Sequence, residues 1–195
     1  DTFDFSFRTI RGRSPSPRAY RRDERGGFAG YILPWAGPYD PKAAMSAHPD
    51  LWQPYSSENL DIFREMIQVF PEAHWVGYVA PISNWEQAKI YLTGNLNHWI
   101  EVRHALGRLF NGGVLDFSIP GMITRDKSIT YDGRHYDLYV NKKIAQRLSG
   151  IENSFGVSVE QLDLPSYRSI ILPSIKSFID KMGIYLVQSK PYSSN

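Results

Sequence analysis

The sequence predicts an α/β protein in which a parallel sheet is flanked by helices. Two short apolar segments, 74–83 and 114–121, have the composition of strands buried on both faces. Segments with helical spacing of apolar residues separate them, and this alternation is typical of parallel sheets. Only these two strands are clear, with 28–33 and 184–188 as weaker candidates, whereas sheets commonly have about five strands. We therefore predict a sheet with few strands, or an incomplete one.

The helices are predicted from apolar residues that recur at intervals of three and four. Four segments show this spacing: 60–70, 85–110, 138–148 and 165–182. The first ends at Pro71, the second is interrupted at 93–95 and stops at 111–113, and the last continues through Pro173. Leu60, Phe63, Ile67 and Phe70 are expected to form the inward face of the first helix.

The predicted domain organisation is an amino-terminal arm and wrapping loop at 1–55, an α/β domain at 56–183 and a tail at 184–195. The arm is basic, with seven arginines from Arg8 to Arg25 in a chain whose net charge is only +2. It suits a solvated arm or docking on an acidic partner or anionic lipid, and the lack of a recognition helix argues against nucleic acid. The partner-binding candidates in this region are Arg18, Arg21, Arg22, Trp35 and Trp52.

Composition excludes several kinds of chemistry. The chain of 195 residues has no cysteine, so disulfides and thiolate catalysis are absent. No window approaches eighteen consecutive apolar residues, so no membrane span is predicted. We predict no cofactor and no metal, because the sequence has no phosphate-binding glycine loop and its histidines lack metal-ligand spacing. The chain starts with Asp1, so we expect a processed product, a domain or a fragment.

The stretch "TYDGRHYDLYVNKKIAQRL", residues 130–148, places Asp132 and His135 three apart on a turn before a helix. Asp132 can accept a hydrogen bond from one ring nitrogen of His135, which leaves the other nitrogen facing a nucleophile as a general base. The alternative interpretation is that Asp132 caps the 138–148 helix and His135 is an ordinary surface histidine. Asp132 and His135 are the catalytic candidates.

Five segments in order carry a family resemblance: "ENLDIFREMIQVFPEA", "VAPISNW", "VLDFSIPGMIT", "YDGRHYDLYVNKKIAQRL" and "FGVSVEQL". Residues 56–160 resemble the carboxyl-terminal part of SGNH (GDSL-like) hydrolases, especially envelope members with an amino-terminal membrane anchor. The resemblance implies a flavodoxin-like (SGNH-type) sheet. It also implies that Asp132 and His135 are the acid and base of a Ser-His-Asp triad, and that the location is periplasmic or otherwise extracytoplasmic, with peripheral membrane contact.

The sequence departs from this family at the nucleophile. The family's Gly-Asp-Ser block is absent, and none of the amino-terminal serines at 6, 14, 16, 56 and 57 has its glycine and helix start. The family's oxyanion blocks are also absent, since "TGNLN" near Gly94 falls inside a helical region. The chain therefore shows a base and an orienting acid without an evident nucleophile, so we leave open whether it is an enzyme.

Two functional hypotheses follow. In the first, the chain is an SGNH-like esterase or O-acyltransferase, or part of one, acting on acylated glycans or lipids of the cell envelope. In the second, it is a catalytically inactive relative, a pseudoenzyme serving as a binding or structural subunit of a larger complex. Under both, we expect another polypeptide to cover the open sheet edge or to supply the missing amino-terminal segment.

Overall fold

The structure is a computed structural model that describes Tyr20–Arg22, Phe28–Tyr31 and residues 58–130, 132–151 and 154–184. The chain divides into two compact units, Asp1–Gly37 and Pro38–Asn195. In the first unit, β1 (Tyr20–Arg22) pairs antiparallel with β2 (Phe28–Tyr31). The strand predicted at 28–33 is therefore present as β2.

Most of the predicted partner-binding residues cannot be compared with the structure. Arg18, Trp35 and Trp52 lie outside the described residues. The backbones of Arg21 and Arg22 lie in β1. The strand expected at 184–188 also falls outside the described residues beyond Ile184.

The second unit is mixed α/β, as predicted. Its described strands are β3 (Gly77–Val79), β4 (Val114–Asp116) and β5 (Val157–Ser158). Its six described α-helices are α1 (Glu58–Val69), α2 (Asn84–Leu92), α3 (Leu96–Leu109), α4 (Met122–Arg125), α5 (Leu138–Leu148) and α6 (Leu164–Met182). All four helical segments predicted from apolar spacing are confirmed, and the one at 85–110 is divided at Thr93 into α2 and α3, close to the expected break.

The sheet has the order β3-β4-β5 and is mixed, so the prediction of a parallel sheet is only partly right. Strands β3 and β4 are parallel, whereas β4 and β5 are antiparallel through Leu115↔Ser158 and Asp116↔Val157. Strand β5 has two residues, too few for an apolar pattern to reveal it or its direction.

Three of the described helices begin at polar residues that cap them through their side chains. Ser83, Asp137 and Asp163 are the N-caps of α2, α5 and α6, and each side chain accepts the backbone N–H of the residue three positions later. Helix α6 contains Pro173 without ending there, and its C-cap Gly183 is left-handed at φ 59°. These caps account for the close agreement between the predicted and observed helix ends.

The main core lies where α2, α3 and α6 pack together over β4. Its fully buried members include Ile90, Ile100, Val114, Ile171 and Ile175. A second cluster of Phe117, Tyr136, Val140 and Ile144 packs α5 against the end of β4. None of the helices in the described ranges is long and apolar enough to cross a bilayer.

Two details of the predicted burial are wrong. The segment 74–83 is not buried on both faces, because Val76 just before β3 and Tyr78 within it are 52% and 54% exposed. Within the described residues β3 pairs only with β4, so it is an edge strand. Phe70, predicted to face inward, lies just past the end of α1 and is exposed.

Candidate functional site

The candidate site is the loop between Thr130 and Tyr136, which form an isolated antiparallel bridge. The Thr130 hydroxyl accepts the N–H of Gly133 at 2.9 Å and donates to the carbonyl of His135 at 3.0 Å. Gly133 has φ +84°, a left-handed conformation that favours glycine. Residues 132–136 therefore form a tight turn whose geometry depends on Thr130 and Gly133.

Asp132 and His135 are in direct contact on this turn. Oδ2 of Asp132 lies 2.7 Å from Nδ1 of His135, and Oδ1 accepts the backbone N–H groups of Arg134 and His135 at 2.9 and 2.8 Å. The side chains are 45% and 65% exposed. Asp132 does not cap α5, because Asp137 does so through the N–H of Val140 at 3.1 Å. The capping interpretation of Asp132 is therefore wrong.

These contacts set the charge state of Asp132. Partial burial alone would raise the pKa of its carboxyl group. The hydrogen bonds from the His135 ring and from the backbone N–H groups of His135 and Arg134 outweigh that effect and lower the pKa to about 2. Asp132 is ionised at neutral pH, and an ionised carboxylate only accepts hydrogen bonds. The shared proton of the pair therefore belongs to Nδ1 of His135.

The loop is tied to the segment that follows β3. The N–H of Ser83 donates to the carbonyl of Gly133 at 2.7 Å. Arg134 donates from Nε and Nη2 to Oε2 of Glu86, at 3.2 and 3.0 Å. Because Ser83 and Glu86 lie just past the carboxyl end of β3, the acid and the imidazole sit at the sheet edge where α/β proteins carry their sites.

A second polar cluster, buried inside the protein, surrounds Asp116 at the end of β4. Its Oδ1 accepts the N–H and the hydroxyl of Ser118 at 2.7 and 2.6 Å, and its Oδ2 accepts the hydroxyl of Tyr167. Arg103 Nη1 lies 3.6 Å from Oδ2 of Asp116, donates to Ser118 Oγ, and its guanidinium covers the ring of Trp99. Burial first, and then the neighbouring Asp116 carboxylate, raise the pKa of Tyr167.

An apolar cleft of about 500 Å³ opens between α1, β3 and α3. Leu60 and Phe63 line it from α1, Tyr78 and Val79 from β3, and Leu106 from α3. The outer side of α1 is also apolar, with three exposed residues at helical spacing: Ile62, Met66 and Val69. The cleft and this stripe place exposed apolar side chains on both α1 and β3.

The remaining sequence candidates do not join the site within the described residues. His74 is exposed, and Nε2 of His104 lies 3.0 Å from the carbonyl of Leu162. No group of three or more His, Asp or Glu side chains among the described residues is arranged to hold a metal ion. Gly94 lies in the turn between α2 and α3. The amino-terminal serines considered as nucleophiles, at 6, 14, 16, 56 and 57, lie outside the described residues.

Sequence reasoning missed the contribution of α2 to the site. Residues 83–86 read Ser-Asn-Trp-Glu, the pattern of a helix-capping box, which marks the start of α2 but not its contact with the loop. It also missed Asn84, which is fully buried and whose amide nitrogen and oxygen have no hydrogen-bond partner among the described residues. No sequence pattern distinguishes Asn84 from an ordinary first residue of a helix.

Searches of protein-family models, of curated proteins and of solved structures find no match to this chain.

Proposed function

We propose that the chain is an SGNH-like esterase or O-acyltransferase, or the carboxyl-terminal part of one, with a flavodoxin-like arrangement of its sheet. The observation that carries this proposal is the 2.7 Å contact between Asp132 Oδ2 and His135 Nδ1 on an exposed turn beyond the carboxyl end of β3. The proposed substrates are acylated glycans or lipids of the cell envelope, and the proposed location is extracytoplasmic or periplasmic. Substrate class and location both come from the family resemblance.

The proposed chemistry follows from the charge state of the pair. Ionised Asp132 holds the proton on Nδ1 of His135 and stabilises the imidazolium when it forms. Nε2 of the neutral ring then removes the proton from an attacking hydroxyl as a general base, and returns it to the leaving group as a general acid. The hydroxyl belongs to a serine outside the described residues, in this chain or in a segment that associates with it.

The partner proposed for this chain is a polypeptide that pairs with the open edge of β3. Gly77 donates its N–H to Gly113, and Val79 accepts the N–H of Phe117, so these two residues face β4. Alternate residues of a strand face opposite edges, so the backbone groups of Tyr78 point away from β4. An added strand would satisfy Tyr78 and would cover the adjacent apolar cleft.

The test is hydrolysis of a short-chain p-nitrophenyl ester by the natural full-length protein. His135→Ala is expected to lower kcat by about 10²–10⁴-fold, the usual contribution of a positioned general base. His74→Ala is the matched control, because His74 is another exposed histidine and lies at the opposite end of β3. Ester hydrolysis that survives the His135 substitution would remove the proposed triad.

A second candidate function is a catalytically inactive binding or structural subunit. The exposed apolar stripe of α1 and the exposed Tyr78 on β3 favour it, because neighbouring exposed apolar side chains can form a protein–protein contact. It predicts no ester hydrolysis by the full-length protein and stable association with another polypeptide. Size-exclusion chromatography with light scattering that shows a stable monomer at all concentrations would count against it.

A further inference from the structure

We propose that Glu86 is a positioning residue that holds the Asp132–His135 pair in place through Arg134. The catalytic importance of this role rests on the proposed function. The contacts between Glu86, Arg134 and the loop are present whether or not the protein is an enzyme.

Within the loop, some residues are held by contacts to the rest of the protein and others carry the candidate catalytic groups. Gly133 is fixed through both of its backbone groups, by Thr130 and by Ser83. Arg134 is fixed through its side chain, by Glu86. Asp132 and His135 lie on either side of these two residues, and their side chains contact each other at the surface. The anchored residues therefore determine where the exposed pair points.

The second step concerns how α2 uses its capping residues. In a capping box the glutamate reaches back to the N–H of the N-cap serine. Here the Ser83 hydroxyl accepts the N–H of Glu86 at 3.2 Å, as in the ordinary motif. The N–H of Ser83, however, donates to Gly133, and Glu86 accepts from Arg134. The two groups of the motif's other contact, the N–H of Ser83 and the carboxylate of Glu86, are thus both directed to the loop.

The third step is energetic. The Glu86 side chain is only 6% exposed, whereas Arg134 is 48% exposed. A nearly buried carboxylate requires a charged or hydrogen-bonding partner, and the N-terminal turn of a helix adds favourable electrostatics for it. Arg134 supplies two donors to one carboxylate oxygen. A loop residue that compensates a buried charge is held more firmly than one in a solvent-exposed pair.

The test is the carboxyl titration of Asp132 by NMR in Glu86→Gln. If Glu86 positions the loop, its loss weakens the contact between Asp132 and His135, and the pKa of Asp132 rises from about 2 toward its ordinary value of 3.8. Simple charge removal predicts the opposite, because losing a nearby negative charge lowers the pKa of a carboxyl group. A pKa that stays the same or falls would overturn the proposal.

Two further variants sharpen the experiment. Glu101→Gln is the matched control, because it removes the carboxylate of another arginine pair, with Arg168 at 2.8 Å on the surface, and should leave the Asp132 titration unchanged. Arg134→Lys keeps the charge without the planar fork, and should give an intermediate rise in the Asp132 pKa.

The titration needs no substrate, so the outcomes separate the two proposals. A rise in the Asp132 pKa in a protein that hydrolyses no ester would support the positioning role of Glu86 and contradict the proposed function. Ester hydrolysis that depends on His135, with a titration unchanged in Glu86→Gln, would support the function and overturn the positioning role.

Discussion

Two aspartates of this protein are held by similar contacts in opposite surroundings. Asp116 accepts the N–H and hydroxyl of Ser118 and the hydroxyl of Tyr167, and it is fully buried. Asp132 accepts two backbone N–H groups and the ring nitrogen of His135, and its side chain is 45% exposed.

The difference in burial indicates different roles for the two carboxylates: Asp116 stabilises the fold, and Asp132 is placed to take part in chemistry. Asp116, Ser118 and Tyr167 are fully buried between α3, α6 and β4, and of this cluster only Arg103 borders the apolar cleft. The groups around Asp132 are exposed to solvent, so a reactant can contact them without any change in the fold. We therefore expect substitutions at Asp116 to affect stability, and substitutions at Asp132 or His135 to affect chemistry.

The largest expected effect is that of Asp116→Ala. It leaves the buried Arg103 guanidinium without its carboxylate, and breaking a buried pair in this way costs about 3–5 kcal/mol. Asp126→Ala is the matched control, because Asp126 makes the same two contacts with Ser128, at 2.8 and 2.6 Å, on the surface. Urea unfolding should show a large decrease in the free energy of unfolding for Asp116→Ala and a small decrease for Asp126→Ala. Equal decreases in the two variants would contradict the conclusion that burial makes Asp116 important for stability.

Tyr167→Phe is expected to have the next largest effect, about 1–3 kcal/mol, because it removes one donor from the buried Asp116. It should also change the dependence of stability on pH. The folded pKa of Tyr167 is raised above its ordinary value of 10.0, so the folded state retains the proton longer and stability falls as pH rises above 10. As the pH rises above 10, the free energy of unfolding measured in urea should decrease less in Tyr167→Phe than in the control Tyr78→Phe. Identical falls would contradict the assigned environment of Tyr167.

The smallest effect on stability is expected for His135→Ala, within about 0.5 kcal/mol at neutral pH, because the pair is exposed. The pKa of Asp132 should nevertheless rise from about 2 toward 3.8. Because the folded pKa is lowered, the pair stabilises the fold above pH 3.8, and this contribution is lost as pH falls toward 2. NMR titration checks the shift. A stability loss as large as that of Asp116→Ala would show that the pair is structural.

Local patterns predicted much of the fold. The helices at 60–70, 138–148 and 165–182 were found because their apolar spacing and caps are encoded by neighbouring residues. The direction of β5 was not found, because two residues carry no pattern and pairing is decided by distant contacts. The exposure of Tyr78 was missed because burial of a strand depends on what lies beside it.

In the candidate site, too, local contacts could be predicted from the sequence and long-range contacts could not. Asp132 and His135 are three apart, so their contact is a local property of the turn that the spacing predicts. Glu86 and Arg134 are 48 positions apart, and the buried Asp116 and Tyr167 are 51 apart. Such pairs form only when helices pack on the sheet, so a single sequence gives no signal for them.

The most direct test of the proposed role of the pair is the tautomer of His135, read from the chemical shifts of its ring nitrogens in nitrogen-15 NMR. With Asp132 ionised, neutral His135 is expected to carry its proton on Nδ1 and to leave Nε2 as the base. Asp132→Ala should shift the proton toward Nε2. A ring that carries its proton on Nε2 while Asp132 is intact would contradict the proposed catalytic role.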